Sequence, residues 1–466
     1  MIKAFFSNSI GILVSRILGL IRDLMTANIL GASIWSDIFF LAFKLPNLFR
    51  RLFAEGAFTQ AFLPSFIKAR KKGIFAAQIL TRFLGIILVL MLCVMLFTPL
   101  FTKALAFGFN DELIQNAVPF VRINFLYLIF IFIVTFMASM LQYKGHFATT
   151  AFSTAILNLS MITALILARN LDQKTAVYYM SFGVVVGGFL QFLVHLIAMQ
   201  YKKILRVLNG GFVRFFKGQK TETKGFYSLF FSGVIGSSAV QITSFINTWF
   251  ASFLGAGAIS YLYYADRIFQ LPLALFAIAL STALFPKIAK LIKQNDYEKA
   301  KKNLSNCFNF LLLMLLCATI GGIILSEIII KIIFERGNFT STNSKECALV
   351  LCMYLIGLVP YGISRLFSLW LYSKMQQKLA AKITVKILFV NLFFCAILFY
   401  PFGVNGLALA GSLSAYVLLF LSIKAFGFRN FLDIISAKKI AFIIFISLVF
   451  MIFLIFIKDF LYVYLL

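Results

Sequence analysis

Acidic residues are scarce in this 466-residue chain, which carries 15 Asp and Glu against 43 Lys and Arg, a formal net charge of +28. Charged residues of all kinds make up 12%, where a soluble globular chain carries about 25%. With 62% hydrophobic residues and 58 phenylalanines, a soluble fold could not bury so much apolar surface, whereas a bilayer accepts it. Histidine occurs only as His146 and His195, on separate apolar stretches with no acid cluster near them in sequence. That leaves no acid–base or metal centre at a membrane face, and an enzyme is not expected. The six cysteines (Cys93, Cys307, Cys317, Cys347, Cys352 and Cys395) are scattered without metal-ligand spacing and read as small core hydrophobes. No small-residue cleavage site follows the first apolar run, and Arg16 and Arg22 interrupt it, so it reads as a membrane helix rather than a signal peptide. The cations fall in short clusters between apolar runs, not in one patch, which argues against a nucleic-acid partner and for the loops of a polytopic membrane protein.

At about 20 apolar residues per crossing, the sequence predicts an all-α protein with about 13 transmembrane helices, near 4–29, 34–52, 79–106, 118–142, 149–168, 176–200, 226–253, 257–285, 303–331, 346–372, 380–400, 404–426 and 439–463. With the N-terminus inside, 26 Lys and Arg fall on inside loops and 7 on outside ends. The bias alternates loop by loop, placing the N-terminus in the cytoplasm and the C-terminus outside. The connections near 53–78 and 201–225 mix aromatics with basic residues. Phe212, Phe215 and Phe216 beside Arg214 and Lys217 look like a helix lying in the membrane interface. A solvated basic loop is the competing reading.

A repeat runs through the chain. Leu30-Gly31-Ala32, Leu45-Pro46 and Ala61-Phe62-Leu63-Pro64 recur in order as Leu254-Gly255-Ala256, Leu271-Pro272 and Ala283-Leu284-Phe285-Pro286, six predicted helices later. An even number of helices per repeat predicts two six-helix lobes related by a pseudo-two-fold along the membrane normal, with the transport path between them. The predicted organisation is an N-terminal lobe over 1–200, an interfacial linker over 201–225, a C-terminal lobe over 226–427 and an extra C-terminal helix over 428–466.

Several predicted helices carry charge: Arg16, Arg22 and Asp23 in the first, Asp37, Lys44, Arg50 and Arg51 in the second, Asp266 and Arg267 in the eighth, Arg365 in the tenth. Facing lipid, Arg16, Arg22, Lys44, Arg267 and Arg365 together would cost about 12–18 kcal/mol, so a wet cationic chamber is the economical expectation. Asp37, Lys44 and Arg51 are seven apart and share one helical stripe. Arg16 and Arg22 are six apart and share a face only if the helix bends, for which Gly19 is the candidate site. Snorkelling competes for Arg50 and Arg51, and a local ion pair for Asp23 beside Arg22. Guanidinium groups bind phosphate through paired donors, so an anionic diphosphate head group suits such a chamber and a cationic drug does not.

The run Ser15-Arg16-Ile17-Leu18-Gly19-Leu20-Ile21-Arg22-Asp23, then Ser36-Asp37 through Lys44-Leu45-Pro46-Asn47-Leu48-Phe49-Arg50-Arg51-Leu52-Phe53-Ala54-Glu55-Gly56, resembles the signature of the MurJ (MviN) family. Tyr263-Tyr264-Ala265-Asp266-Arg267 with Leu271-Pro272 resembles its eighth-helix motif. These are lipid II flippases of the multidrug/oligosaccharidyl-lipid/polysaccharide exporter superfamily. The resemblance implies a bacterial cytoplasmic-membrane protein that moves lipid II, an undecaprenyl-diphosphate carrying a disaccharide-pentapeptide, to the periplasmic leaflet by alternating access. It places the needed charges at Arg16, Arg22, Asp37, Arg50 or Arg51, and Arg267, beside Lys44 and Arg365 from the charge reading. Asp23, Glu55 and Asp266 are the ion-pair or gating candidates. Membrane lipids and other cell-wall synthesis proteins are the implied partners. No nucleotide-binding motif is present and no cofactor is expected, so membrane potential or an ion gradient would drive the cycle. Two departures stand out. Family members have fourteen helices, the last two forming a groove for the lipid tail, against thirteen expected here. The seventh predicted helix offers Gln241, Ser244, Asn247 and Thr248 where some members bind sodium through acids. A flippase for another polyprenyl-diphosphate saccharide, or a drug or ion antiporter of the superfamily, is the alternative.

Overall fold

Apolar runs this long leave the backbone no hydrogen-bonding partner except itself, and helices satisfy it locally. The computed structural model describes residues 2–53 and 57–465, and among these there is helix and no strand. In chain order the helices are α1 (Ile2–Leu30), α2 (Ile34–Phe53), α3 (Ala57–Lys68), α4 (Lys72–Leu96), α5 (Thr98–Leu105), α6 (Asp111–Tyr143), α7 (Ala148–Ala168), α8 (Gln173–Tyr201), α9 (Ile204–Phe216) and α10 (Lys224–Ala251). They continue as α11 (Ala258–Pro272), a π-helical turn (Leu273–Ile278), α12 (Ala279–Lys293), α13 (Tyr297–Ile324), α14 (Ser326–Phe334), α15 (Ser341–Ile356), α16 (Leu358–Ser373), α17 (Gln377–Phe426), α18 (Phe428–Ile434) and α19 (Ala437–Leu465). Among the described residues nine helical stretches are long and apolar enough to cross a bilayer. The chain is an all-α polytopic membrane protein.

Two compact units divide the chain. One comprises residues 1–241 with Arg336–Asn338, the other 242–335 with 339–466. The boundary falls inside α10, beyond the linker read over 201–225.

In the first unit α7 packs on α1 and α8, α6 on α2 and α8, and α4 on α9. Its core is aromatic. Phe58, fully buried, meets Phe62, Phe83, Phe132, Phe226 and Phe230 at ring-centroid distances of 5.5, 5.6, 5.6, 5.7 and 6.3 Å. This corrects the sequence reading of 53–78 as a connecting loop. Phe58, Phe62 and Phe66 recur every four residues, one face of a helix, and α3 buries all three. The basic residues that made the stretch look like a loop lie at its end, with Lys68, Arg70 and Lys71 exposed.

In the second unit α16 packs on α17, α15 on α11 and α17, and α13 on α19. The predicted helices over 380–400 and 404–426 form one helical run, α17, broken at Gly403 (φ 54°, ψ −131°). Positive φ favours glycine, and here it reverses the chain. In a straight helix residues eight apart stand about 12 Å apart, yet a Cβ on Gly406 would collide with the carbonyl of Leu398.

Candidate functional site

α1 runs unbroken from Ile2 to Leu30. Gly19 lies at van der Waals distance from Asn158 of α7 and is a point of helix contact, not the bend the spacing allowed for. On this helix Arg16 is exposed and Arg22 is 8% exposed. Arg22 donates from Nη2 and Nε to Asp23 Oδ1 (2.6 and 3.1 Å) and from Nη1 to Asn158 Oδ1 (3.0 Å). Asn158 Nδ2 in turn donates to the Ser15 carbonyl (3.0 Å). Asn158 is buried and so ties the guanidinium to the α1 backbone about two turns earlier. A buried arginine persists when its charge is matched and hydrogen-bonded, and Asp23 and Asn158 together meet that condition with three bonds.

α2 begins at a reciprocal Ser33–Ser36 cap, in which Ser36 Oγ accepts from Ser33 N (2.9 Å) and Ser33 Oγ from Ser36 N (3.4 Å). Asp37 follows in the first turn, 1% exposed, where a carboxylate is favoured by the positive end of the helix. Lys44 and Arg50 are half-buried, and Arg50 Nε donates to Asn47 Oδ1 (3.0 Å). The side chain of Arg51 and the whole of Glu55 lie outside the described residues.

In the second unit both arginines are braced the same way. Arg267 donates from Nη2 to the Tyr263 hydroxyl (2.7 Å) and stacks on that ring at 4.8 Å. Arg365 stacks on Tyr361 at 5.4 Å. Each tyrosine lies four residues, one turn, before its arginine, so both pairs form within a single helix. Phe269 meets Tyr361 at 6.4 Å and Tyr354 at 5.7 Å, joining α11 to α15 and α16. Asp266 accepts from Gln270 one turn on. Six residues beyond Arg267 begins the π-helical turn, a local departure from α geometry of the kind found at functional segments.

The structure therefore groups Arg16, Arg22, Asp23, Asp37, Lys44 and Arg50 in one unit and Asp266, Arg267 and Arg365 in the other. Sequence reading missed Asn158 and Tyr361. Asn158 is a lone amide in an apolar run, and Tyr361 carries no motif. The seventh-helix residue Asn247 meets Cys395 Sγ at 3.4 Å, which lies 3.7 Å from Asn391 Oδ1. A thiol and two amides bring no negative charge to this contact. Among the described residues no three His, Cys, Asp or Glu gather as a metal site.

A family model described as "Lipid II flippase MurJ" matches residues 26–466. A relative from Helicobacter pylori (strain J99), named "Probable lipid II flippase MurJ", is 47% identical over 424 residues, 89% of this chain and 92% of its own. A Vibrio cholerae relative of the same name is 31% identical, covering 87% of this chain and 79% of its own. Among solved structures, a lipid II flippase MurJ in an inward closed conformation superimposes with a TM-score of 0.79 at 24% identity over 97% of both chains. An inward-facing multidrug resistance MATE family transporter of the MOP superfamily gives 0.69 at 12% identity, over 92% of this chain and 98% of its own. At these identities the two structures show a shared fold.

Proposed function

The chain belongs to the lipid II flippase MurJ family, and from that premise we propose that it carries lipid II from the cytoplasmic to the periplasmic leaflet of the bacterial inner membrane. Transport is by alternating access along a cationic path for which Arg16, Arg22, Lys44, Arg267 and Arg365 are the candidate residues, with the N-terminus cytoplasmic. Membrane potential or an ion gradient drives it. The observation that supports the cargo class is the bracing of Arg267 and Arg365 on tyrosines one turn away. Aromatic stacking holds a guanidinium plane while leaving donor edges to face a diphosphate. The few acids of the chain offer little to a cationic drug.

Complementation tests this reading. The chain is expressed in bacteria depleted of their own lipid II flippase, beside Arg16→Ala and Arg267→Ala at matched protein levels. Arg22→Ala is the poorer probe, because it leaves Asp23 buried without its ion-pair partner and mixes folding with transport. Growth with the unaltered chain and none with either variant is expected. Growth with all three keeps the flippase and removes the cavity assignment. No growth with the well-expressed unaltered chain transfers the proposal to another polyprenyl-diphosphate cargo.

A further inference from the structure

Helix α9 presents three faces of different character. Ile204, Leu208 and Gly211 are buried and Phe215 half-buried, forming the face toward α4. A Cβ on Gly211 would collide with Gly73, and one on Gly73 with the Val207 carbonyl, so backbone meets backbone at this contact. The exit from α9 is pinned as well. Thr221 N donates to Gln78 Oε1 (3.1 Å) and Arg82 Nη1 to Thr223 Oγ1 (3.2 Å), both from α4. α9 is thus a fixed ledge on α4.

At 3.6 residues per turn, Leu205, Phe212 and Phe216 fall within roughly 40° of one another on the flank of that buried face. Phe216 is 75% exposed and its ring stacks with Phe212 at 6.1 Å. Further round, Arg206, Lys217 and Arg214 occupy an arc of roughly 80°, and Arg206, Arg214 and Lys217 are exposed. Lys203 and Lys220 extend the cationic side beyond both helix ends, and no acid occurs between Asp172 and Glu222. Lys71 and Lys72 immediately precede the Gly73 contact.

A protein-facing side, an apolar flank and a cationic arc, in that order, fit a helix lying at acyl-headgroup depth. The apolar flank enters the acyl boundary while guanidinium and ammonium groups stand at the phosphates. We propose that α9 and the adjoining start of α4 form a docking surface for anionic phospholipid headgroups, selecting phosphatidylglycerol-type lipids over zwitterionic ones. Charge complementarity names the occupant. The inside bias accounts for cations on this connection but not for their gathering on one arc beside the apolar flank, which is the arrangement that meets lipid phosphates. The surface stands apart from the transported cargo and does not depend on its identity.

The test uses the full-length protein with Phe216→Trp, reconstituted in mixed phosphatidylcholine and phosphatidylglycerol vesicles in which one lipid or the other carries brominated acyl chains. Quenching beyond that of the parent, whose tryptophans are Trp35, Trp249 and Trp370, reports lipid at position 216. Brominated phosphatidylglycerol is expected to quench at least about two-fold more than brominated phosphatidylcholine at equal mole fraction. In Arg206→Gln/Arg214→Gln/Lys217→Gln the preference should vanish while quenching persists. On the unaltered cations, raising salt from about 0.05 to about 0.5 M should erode the preference, an arm that stands even if the triple variant folds poorly. Absence of quenching by either lipid overturns the proposal, because water, a second copy or another protein then covers the flank. Equal quenching by both lipids overturns it as well, as does a preference that survives both charge removal and salt.

Discussion

At the scale of single residues, the chain handles buried and half-buried cations by giving the guanidinium a close partner on its own helix. Arg22 takes its neighbour Asp23, and Arg267 and Arg365 take tyrosines one turn back. Arg22 also bonds across helices, to Asn158. Replacing Asn158 with Leu removes an acceptor from a buried cation and a donor from the Ser15 carbonyl. That should cost about 1–3 kcal/mol, measured as a lower thermal midpoint of the purified protein, with Asn158→Gln less affected. A thermal midpoint unchanged by Asn158→Leu would mean the amide does not hold the guanidinium. The charged members of this network were legible in the sequence because each is costly in an apolar helix. Asn158 was not, because one amide in such a run has no spacing to betray its partner, and only the approach of α1 to α7 supplies one.

At the scale of helices, period and chemistry pulled in different directions around α3. The four-residue spacing of Phe58, Phe62 and Phe66 was present in the sequence, but the mixture of aromatics with a basic tail, Lys68 to Lys72, made a cytoplasmic connection the natural reading. The structure resolves the conflict through packing, since five aromatic rings from α3, α4, α6 and α10 close on Phe58. Phe58→Ala should therefore cost about 3–5 kcal/mol, seen as loss of folded protein in detergent by size-exclusion thermal profiling. Phe216→Ala, on an exposed ring, should leave that profile in place. Equal loss from both would show that the aromatic core does not carry the stability of this unit. α9 was read more closely, because a helix with aromatics on one flank and cations on another shows its period even inside a polar loop.

At the scale of the whole molecule, the alternating Lys and Arg bias predicts the orientation. Arg169 falls on the outer side and Gln219 on the inner side of that reading. In spheroplasts a membrane-impermeant maleimide should label Arg169→Cys directly and Gln219→Cys only after permeabilisation. The reverse pattern would invert the topology. The all-α polytopic architecture was legible from hydropathy alone. The extent of each compact unit was not, because three residues, Arg336–Asn338, join the first unit from a distant part of the sequence, where Asn338 donates to the carbonyls of Asn28 and Ile29. The reversal at Gly403 bears on biogenesis. A turn this short leaves no loop that could wait in the aqueous phase while the insertion machinery decides the fate of each half of α17. The two arms must enter the bilayer together as a single hairpin, so a charge added at the turn should change the membrane integration of both arms at once rather than reorient one.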